Sequence, residues 1–306
     1  MYKIEELDNE NPLLNQVIIK NDTLNFQSSI YPNLGASLQK LSFSDVDIID
    51  GIENNNIGLN TYRSKFNSSL LFPFPNRISN GKYTFKTVNY KLACNETALN
   101  NTLHGFVYNK SFKVKNTEVS KEIASVIFSY TDEGKSKGFP FSYQLDVTYT
   151  FTKEKMSVNF TVFNNGDKSF PFGIGWHPYF KTSNLGESIL NFNADNQYSL
   201  DEKMIPQNEI PLKFKTPLLL KDMFLDDCFI TKQSTSSLKT NNYAIEIDFS
   251  SKTPNSFLQV YTPPTRDSIA IEPMTCAPNS FNNKNGLLVL EPKKSYDWKI
   301  DMKYSF

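Results

Sequence analysis

Apolar residues recur at every second position along much of this chain. From Tyr296 to Phe306 the order Tyr-Asp-Trp-Lys-Ile-Asp-Met-Lys-Tyr-Ser-Phe alternates without a break. Such alternation sends successive side chains to opposite faces, so one face is buried and the other wetted. The stretches from Phe141 to Phe151, Met156 to Val162 and Tyr243 to Phe249 repeat the pattern. Thr152-Lys153-Glu154-Lys155 joins the first two and is short enough for a hairpin. No stretch of about twelve residues carries apolar positions at i, i+3, i+4 and i+7, the signature of an amphipathic helix. Sixteen prolines and many Asn-rich connections cut the chain into short segments. The pattern predicts an all-β protein with many antiparallel strands, a large β-sandwich or barrel rather than βαβ units. No repeat at roughly 20–50 residues argues for a propeller, and no Gly/Ser-rich or Pro-rich linker divides the chain. One domain over residues 1–306 is expected.

Composition narrows the partners. The 306 residues suffice for a sizeable core. Lys and Arg total 32, as do Asp and Glu, so the balanced charge gives no electrostatic case for nucleic acid or an anionic membrane. No apolar run approaches the roughly 20 residues that span a bilayer, and MYKIEELDNE has acids where a signal peptide needs a basic start. Three cysteines are too few for a disulfide scaffold. A soluble cytoplasmic protein, monomeric or homodimeric, is expected. Aromatic residues at 14% suit strands and an aromatic-lined pocket. Asn-x-Ser/Thr triplets such as Asn95-Glu96-Thr97 are expected to be chance matches in so Asn-rich a chain.

Six segments offer chemistry. Phe72-Pro73-Phe74-Pro75-Asn76-Arg77 is a stiff, Pro-rich approach to a guanidinium, followed by a Ser79-Asn80-Gly81 turn and a strand at Tyr83-Thr84-Phe85. It aims Arg77 into a site or leaves it on the surface. The chain has only two histidines. His104 precedes Gly105, which permits close backbone approach, so the imidazole meets a ligand or a backbone carbonyl. His177 follows the strand-like Phe170–Trp176 run, with glycines marking a bulge, and Pro178 holds it out of the helical region. It is a proton donor in an aromatic-walled pocket, or a partly buried histidine in an aromatic cluster. Glu272 ends the apolar strand Ser268-Ile269-Ala270-Ile271, where burial would raise its pKa and make it a better base near neutrality. The alternative is a strand-end Glu bound to a lysine, as Glu291 beside Lys293 and Lys294 suggests. Asp226 and Asp227 open another strand and point to opposite faces, so at most one enters a given site. Gln259 is a lone amide in an apolar strand and must find partners, a ligand or the next strand. Nucleophile elbows, phosphate loops, dinucleotide fingerprints and paired metal-ligand spacings are all missing.

Taken in order, these pieces resemble the aldose 1-epimerase (mutarotase) family. They are Pro75-Asn76-Arg77-Ile78 with Gly81-Lys82-Tyr83, Leu103-His104-Gly105, and Gly175-Trp176-His177-Pro178-Tyr179-Phe180. Leu225-Asp226-Asp227-Cys228-Phe229, Leu258-Gln259-Val260-Tyr261-Thr262 and Ile271-Glu272-Pro273-Met274-Thr275 follow. The His-Pro-Tyr-Phe and Glu-Pro-Met-Thr forms look like a divergent bacterial branch. The resemblance implies one large β-sandwich and interconversion of the α and β anomers of a free aldose, with no cofactor or metal. It implies that Glu272 is the base at the C1 hydroxyl and His177 the acid at the ring oxygen. His104, Arg77, Asp226 and Gln259 would hold sugar hydroxyls, with His104 assisting at the ring oxygen. A His near its ordinary pKa of ~6.5 and a desolvated Glu can exchange acid and base roles around neutrality. Where many mutarotases carry a His after the aspartate, Asp227 stands here, leaving the choice between Asp226 and Asp227 open.

Three other readings compete. Members of the divergent branch act on hexose 6-phosphates, but a phosphate wants several basic groups. Besides Arg77 only Arg63 and Arg266 stand near in sequence, which favours a neutral sugar. A noncatalytic carbohydrate-binding protein needs the same aromatics and polar anchors. A glycoside-processing enzyme would use two carboxylates, Asp226 and Glu272, about 5–10 Å apart, and would leave both histidines without a role.

Overall fold

A computed structural model of the chain describes residues 1–250 and 256–306. The alternating segments become long strands: Ser142–Phe151, Lys155–Asn164, Ala244–Asp248 and Ser295–Ser305. Apart from exposed Phe163 and buried Ser157 and Asn164, their apolar positions are covered and their polar positions reach solvent. The first two form the expected hairpin, with Phe151 opposite Met156. Every pairing between these strands is antiparallel, the arrangement that lets one face be wetted.

The main sheet runs in the order Lys113–Val119, Ala124–Glu133, Ser142–Phe151, Lys155–Asn164, Ser295–Ser305, Ala244–Asp248 and Asp226–Lys239, and continues through Ser256–Tyr261, Ser268–Met274, Gly175–His177 and Ser69–Leu71. The strand Asp226–Lys239 pairs with Ile189–Leu200 along one edge and changes partner along the other. Its first half pairs with Ser256–Tyr261 and its second with Ala244–Asp248, so it carries the sheet from the sandwich into the region of the site. A second sheet of five strands, Lys3–Leu7, Gln16–Asn21, Phe26–Tyr31, Ser37–Phe43 and Val46–Asp47, covers one end of the first. Phe26 meets Phe151 at 5.6 Å and Phe43 meets Tyr304 at 4.6 Å between ring centroids. Each such ring, taken fully out of water, stabilises the fold by about 1.5–3 kcal/mol. The architecture is the all-β antiparallel sandwich that the periodicity predicts.

Two expectations need correction. The Phe170–Trp176 run is not one strand. Phe170–Phe172 pairs with Leu288–Leu290, the chain breaks at Gly173-Ile174, and Gly175–His177 joins the main sheet. A helix that the pattern did not predict spans Asn56–Lys65. Asn55 caps it by accepting from the Gly58 N–H at 2.9 Å, and only Gly58, Leu59 and Tyr62 are buried on it. With so narrow an apolar stripe, its stability comes from docking rather than periodicity. The Tyr62 hydroxyl supplies that docking, its one proton lying between the Leu34 and Tyr108 carbonyls at 2.8 and 2.7 Å. Among the described residues no helix is long and apolar enough to cross a membrane.

Candidate active site

Strand register assembles one wall of the site. Asp226 lies opposite Tyr261, Cys228 opposite Gln259, and Gln259 opposite Glu272. Residues paired across a ladder, and residues two apart along a strand, share a face. Asp226, Gln259, Tyr261 and Glu272 therefore project together. Tyr179 sits opposite Ala270, and His177, two residues earlier, joins the same face. Asp227 falls on the other face, where it accepts from Gln197 Nε2 at 2.9 Å. Of the two acids left open in the sequence, Asp226 is the one that lines the cavity. The strand carrying Glu272 does not end there, as expected, but runs on through Pro273 to Met274, so the carboxylate is interior to the ladder.

Loops supply the opposite wall. Arg77–Ile78 pairs with Thr102–Leu103, which sets Arg77 across from Leu103 and brings His104 alongside. Asn76 and His104 both adopt positive φ, 55° and 63°, and the His104 N–H donates to the Asn76 carbonyl at 2.8 Å. Gly105, at φ 69°, passes so near Phe72 that a Cβ would stand 2.1 Å from its carbonyl oxygen. Only glycine fits this turn. Gly175, beneath the same loop, would put a Cβ 2.9 Å from that of Pro75. The helix Asn56–Lys65 adds the rim: Phe66, its left-handed C-cap, packs on His104 with ring centroids 4.7 Å apart.

The two walls enclose a cavity of about 400 Å³, within the usual range for small-molecule sites. All six residues singled out in the sequence line it: Arg77, His104, His177, Asp226, Gln259 and Glu272. Arg63 and Arg266 do not. Arg63 is exposed on the helix, and Arg266 donates to the carbonyls of Leu220, Lys221 and Met223. The sequence reading missed Glu96, Lys65 and Phe66, and left Asn76, Tyr179 and Tyr261 as flanking residues.

His177 Nε2 stands 3.3 Å from Glu272 Oε1, and both side chains are buried. The imidazole stacks on Tyr179, with centroids 5.2 Å apart, and meets the edge of His104 at 5.0 Å. Among the described residues, neither His177 Nδ1, His104 Nδ1 nor Glu272 Oε2 has a hydrogen-bond partner. Buried polar atoms are normally paired, so these three are available to a ligand. Gln259 bridges the walls: its Nε2 donates to Asp226 Oδ1 at 2.7 Å, and its Oε1 accepts from Asn76 Nδ2 at 3.3 Å. Arg77 is held by Glu96, with Nε 2.9 Å from Oε2 and Nη2 2.8 Å from Oε1.

Burial dominates the electrostatics. It pushes His177 down to about 4 and His104 well below the ordinary imidazole range, His104 being lowered further by His177 and Arg77. Neither imidazole keeps the near-neutral value expected from the sequence. Burial raises Glu272 well above the usual carboxylate range; nearby Asp226 adds to the rise and Arg77 opposes it. Asp226 is raised too, by burial first, with Arg77 pulling the other way. Burial thus favours a protonated Glu272 beside a neutral His177, and the 3.3 Å contact lets that proton pass between them. Two groups of different kind, in contact and sharing a proton, suit simultaneous donation and withdrawal of protons at one atom.

The aldose 1-epimerase family model matches residues 16–303. The chain belongs to the aldose 1-epimerase family. The uncharacterized protein YihR of Escherichia coli K12 is 26% identical over 237 residues, covering 74% of this chain and 75% of that protein. Galactose mutarotase of Sus scrofa is 28% identical over 140 residues, 44% of this chain and 39% of its own. Among solved structures, a galactose mutarotase-like protein from Clostridium acetobutylicum superposes with a TM-score of 0.86 at 17% identity, covering 100% of this chain and 98% of the other. Galactose 1-epimerase from Lactobacillus acidophilus gives 0.79 at 16% identity, with the same coverage. These structural likenesses establish the fold, a galactose mutarotase-like β-sandwich.

Proposed function

We propose that this chain, as a single domain over residues 1–306, is an isomerase that interconverts the α and β anomers of a free aldose. The observation that carries the reading is the 3.3 Å approach of His177 to Glu272 on the wall of a small polar cavity. The anomeric carbon bears two oxygens, the C1 hydroxyl and the ring oxygen, so one base and one acid in contact can serve both at once. In the tautomer with the proton passed from Glu272 to His177, ionised Glu272 takes the hydroxyl proton, the C1 carbonyl forms, and the bond from C1 to the ring oxygen breaks. Its electron pair stays on the ring oxygen, which takes a proton from His177. The pair is left with the proton on Glu272 and a neutral His177, the distribution that burial favours. Rotation about C1–C2 turns the aldehyde, and reclosure on the other face returns both protons. No proton is consumed and the chemistry as written calls for no cofactor.

In this reading Asp226, Gln259, Arg77 and His104 hold the remaining hydroxyls. The unpartnered His104 and His177 Nδ1 atoms and Glu272 Oε2 support it, because a polyol can satisfy all three. Exchange NMR or polarimetry over a panel of aldoses, including glucose and galactose, tests it. Acceleration of anomer exchange for at least one sugar is expected. Binding without acceleration across the whole panel would overturn catalysis in favour of a carbohydrate-binding role.

A further inference from the structure

Glu96 faces the cavity but has no part in the proton exchange. Its carboxylate is fastened on three sides. Arg77 donates from Nε to both oxygens and from Nη2 to Oε1, and Asn101 Nδ2 donates to Oε2 at 2.9 Å. Asn101 is fully buried and also donates to the Lys203 carbonyl at 2.9 Å. The Glu96 and Asn101 backbones exchange two hydrogen bonds, of 3.1 and 3.2 Å. Glu96 therefore cannot swing aside when a ligand enters. The pair is largely out of solvent, with side-chain exposures of 14% for Arg77 and 17% for Glu96, so screening does little to weaken it.

We infer that Glu96 is a specificity-determining residue that matches the charge of Arg77, so the cleft selects uncharged aldoses over sugars bearing phosphate or carboxylate. This rests on the aldose reading above. An oxyanion gains most from a guanidinium by taking two parallel N–H donors, and the Nε/Nη2 edge of Arg77 is already filled by Glu96. Nη1 makes no hydrogen bond within the described residues, which leaves a donor suited to a single hydroxyl. An anion approaching that edge would meet a cation whose charge is spoken for, with Asp226 and Glu272 on the facing wall. Among the described residues Lys65 is the other cation lining the cavity, and it is exposed at the rim.

Titration calorimetry of the full chain with an aldose and its 6-phosphate tests this directly. Glu96→Gln should raise affinity for the phosphorylated sugar relative to the free one by about tenfold, the order expected when a like charge is removed from a desolvated contact. Arg77→Gln leaves the Glu96 carboxylate uncompensated and should move the ratio the other way; it also answers the question if Glu96→Gln fails to fold. An unchanged ratio in a folded variant, or no binding of either sugar, overturns the inference. Because the readout is binding, a chain that binds aldoses without exchanging anomers would sink the catalytic reading and leave this selectivity standing.

Discussion

The two walls of the cavity are built by different means. The sheet wall carries His177, Asp226, Gln259 and Glu272 on one face of four paired strands, where register alone determines what projects. The loop wall carries Arg77, Glu96 and His104 on segments with positive φ and a glycine under close contact, where local backbone conformation sets position. A ladder fixes distances between strands at the cost of adaptability, since a slip of one residue would turn every side chain to the other face. Loops can change length and residue without disturbing a core. In the proposed division, proton transfer, which tolerates little displacement, sits on the ladder, while the contacts that distinguish one sugar from another sit mostly on the loops.

The largest effect should come from the ladder. Glu272→Gln and His177→Asn are each expected to slow anomer exchange by about 10³-fold, the middle of the range for a positioned proton-transfer group, with unchanged circular dichroism. Full activity in either variant would end the acid–base assignment. Next, Asp226→Asn should lower kcat/KM by about 10–100-fold for a lost charged hydrogen bond, whereas Asp227→Asn, on the opposite face, should stay within about threefold. Equal effects would mean that register does not sort the two acids. On the loop wall, Gly105→Ala should cost about 2–4 kcal/mol of stability, because it adds a clash to an unfavourable φ. Thermal melting reads it, and an unaltered melting temperature would show that the loop relaxes freely.

The smallest effect is a pH dependence. Folded Glu272 has a pKa raised well above 4.5. Above about pH 4.5 the unfolded chain loses this proton while the folded chain keeps it, so stability falls as pH rises toward the folded value. Glu272→Gln removes that loss. It should melt with the wild type at low pH and above it at pH 8. His177 works in the other direction. Its folded value near 4 against 6.5 means stability is lost as pH falls from about 6.5 to about 4. A Glu272→Gln advantage that is flat with pH would show the carboxyl to be ionised when folded.

Much of the sheet wall was legible in the sequence. Period-two alternation marks the strands, and polar residues inside apolar runs, such as Gln259 and Glu272, stand out because burying them demands a partner. The loop wall was legible only where Pro, Gly and His gave it an unusual composition. Glu96 was invisible because Asn95-Glu96-Thr97 looks like an ordinary solvated triplet. Its place depends on Arg77, 19 residues earlier, and on Asn101. Beside it, Asn95 pairs its amide with the Leu103 backbone, donating from Nδ2 to the carbonyl and accepting from the N–H at Oδ1. The helix Asn56–Lys65 escaped because docking, not an apolar stripe, holds it. The fall of both imidazoles below their ordinary range could not be read either, since it follows from burial that only the assembled walls create.

Gly175 gives the cleft one more property. It lies in the sheet between Leu71 and Met274, and the proline loop bearing Arg77 rests where its side chain would be. The span between the walls is thus governed by a hydrogen atom outside the cavity lining. Any bulkier residue there would act as a shim, lifting the loop that bears Arg77 away from the sheet wall while every group lining the cavity kept its identity.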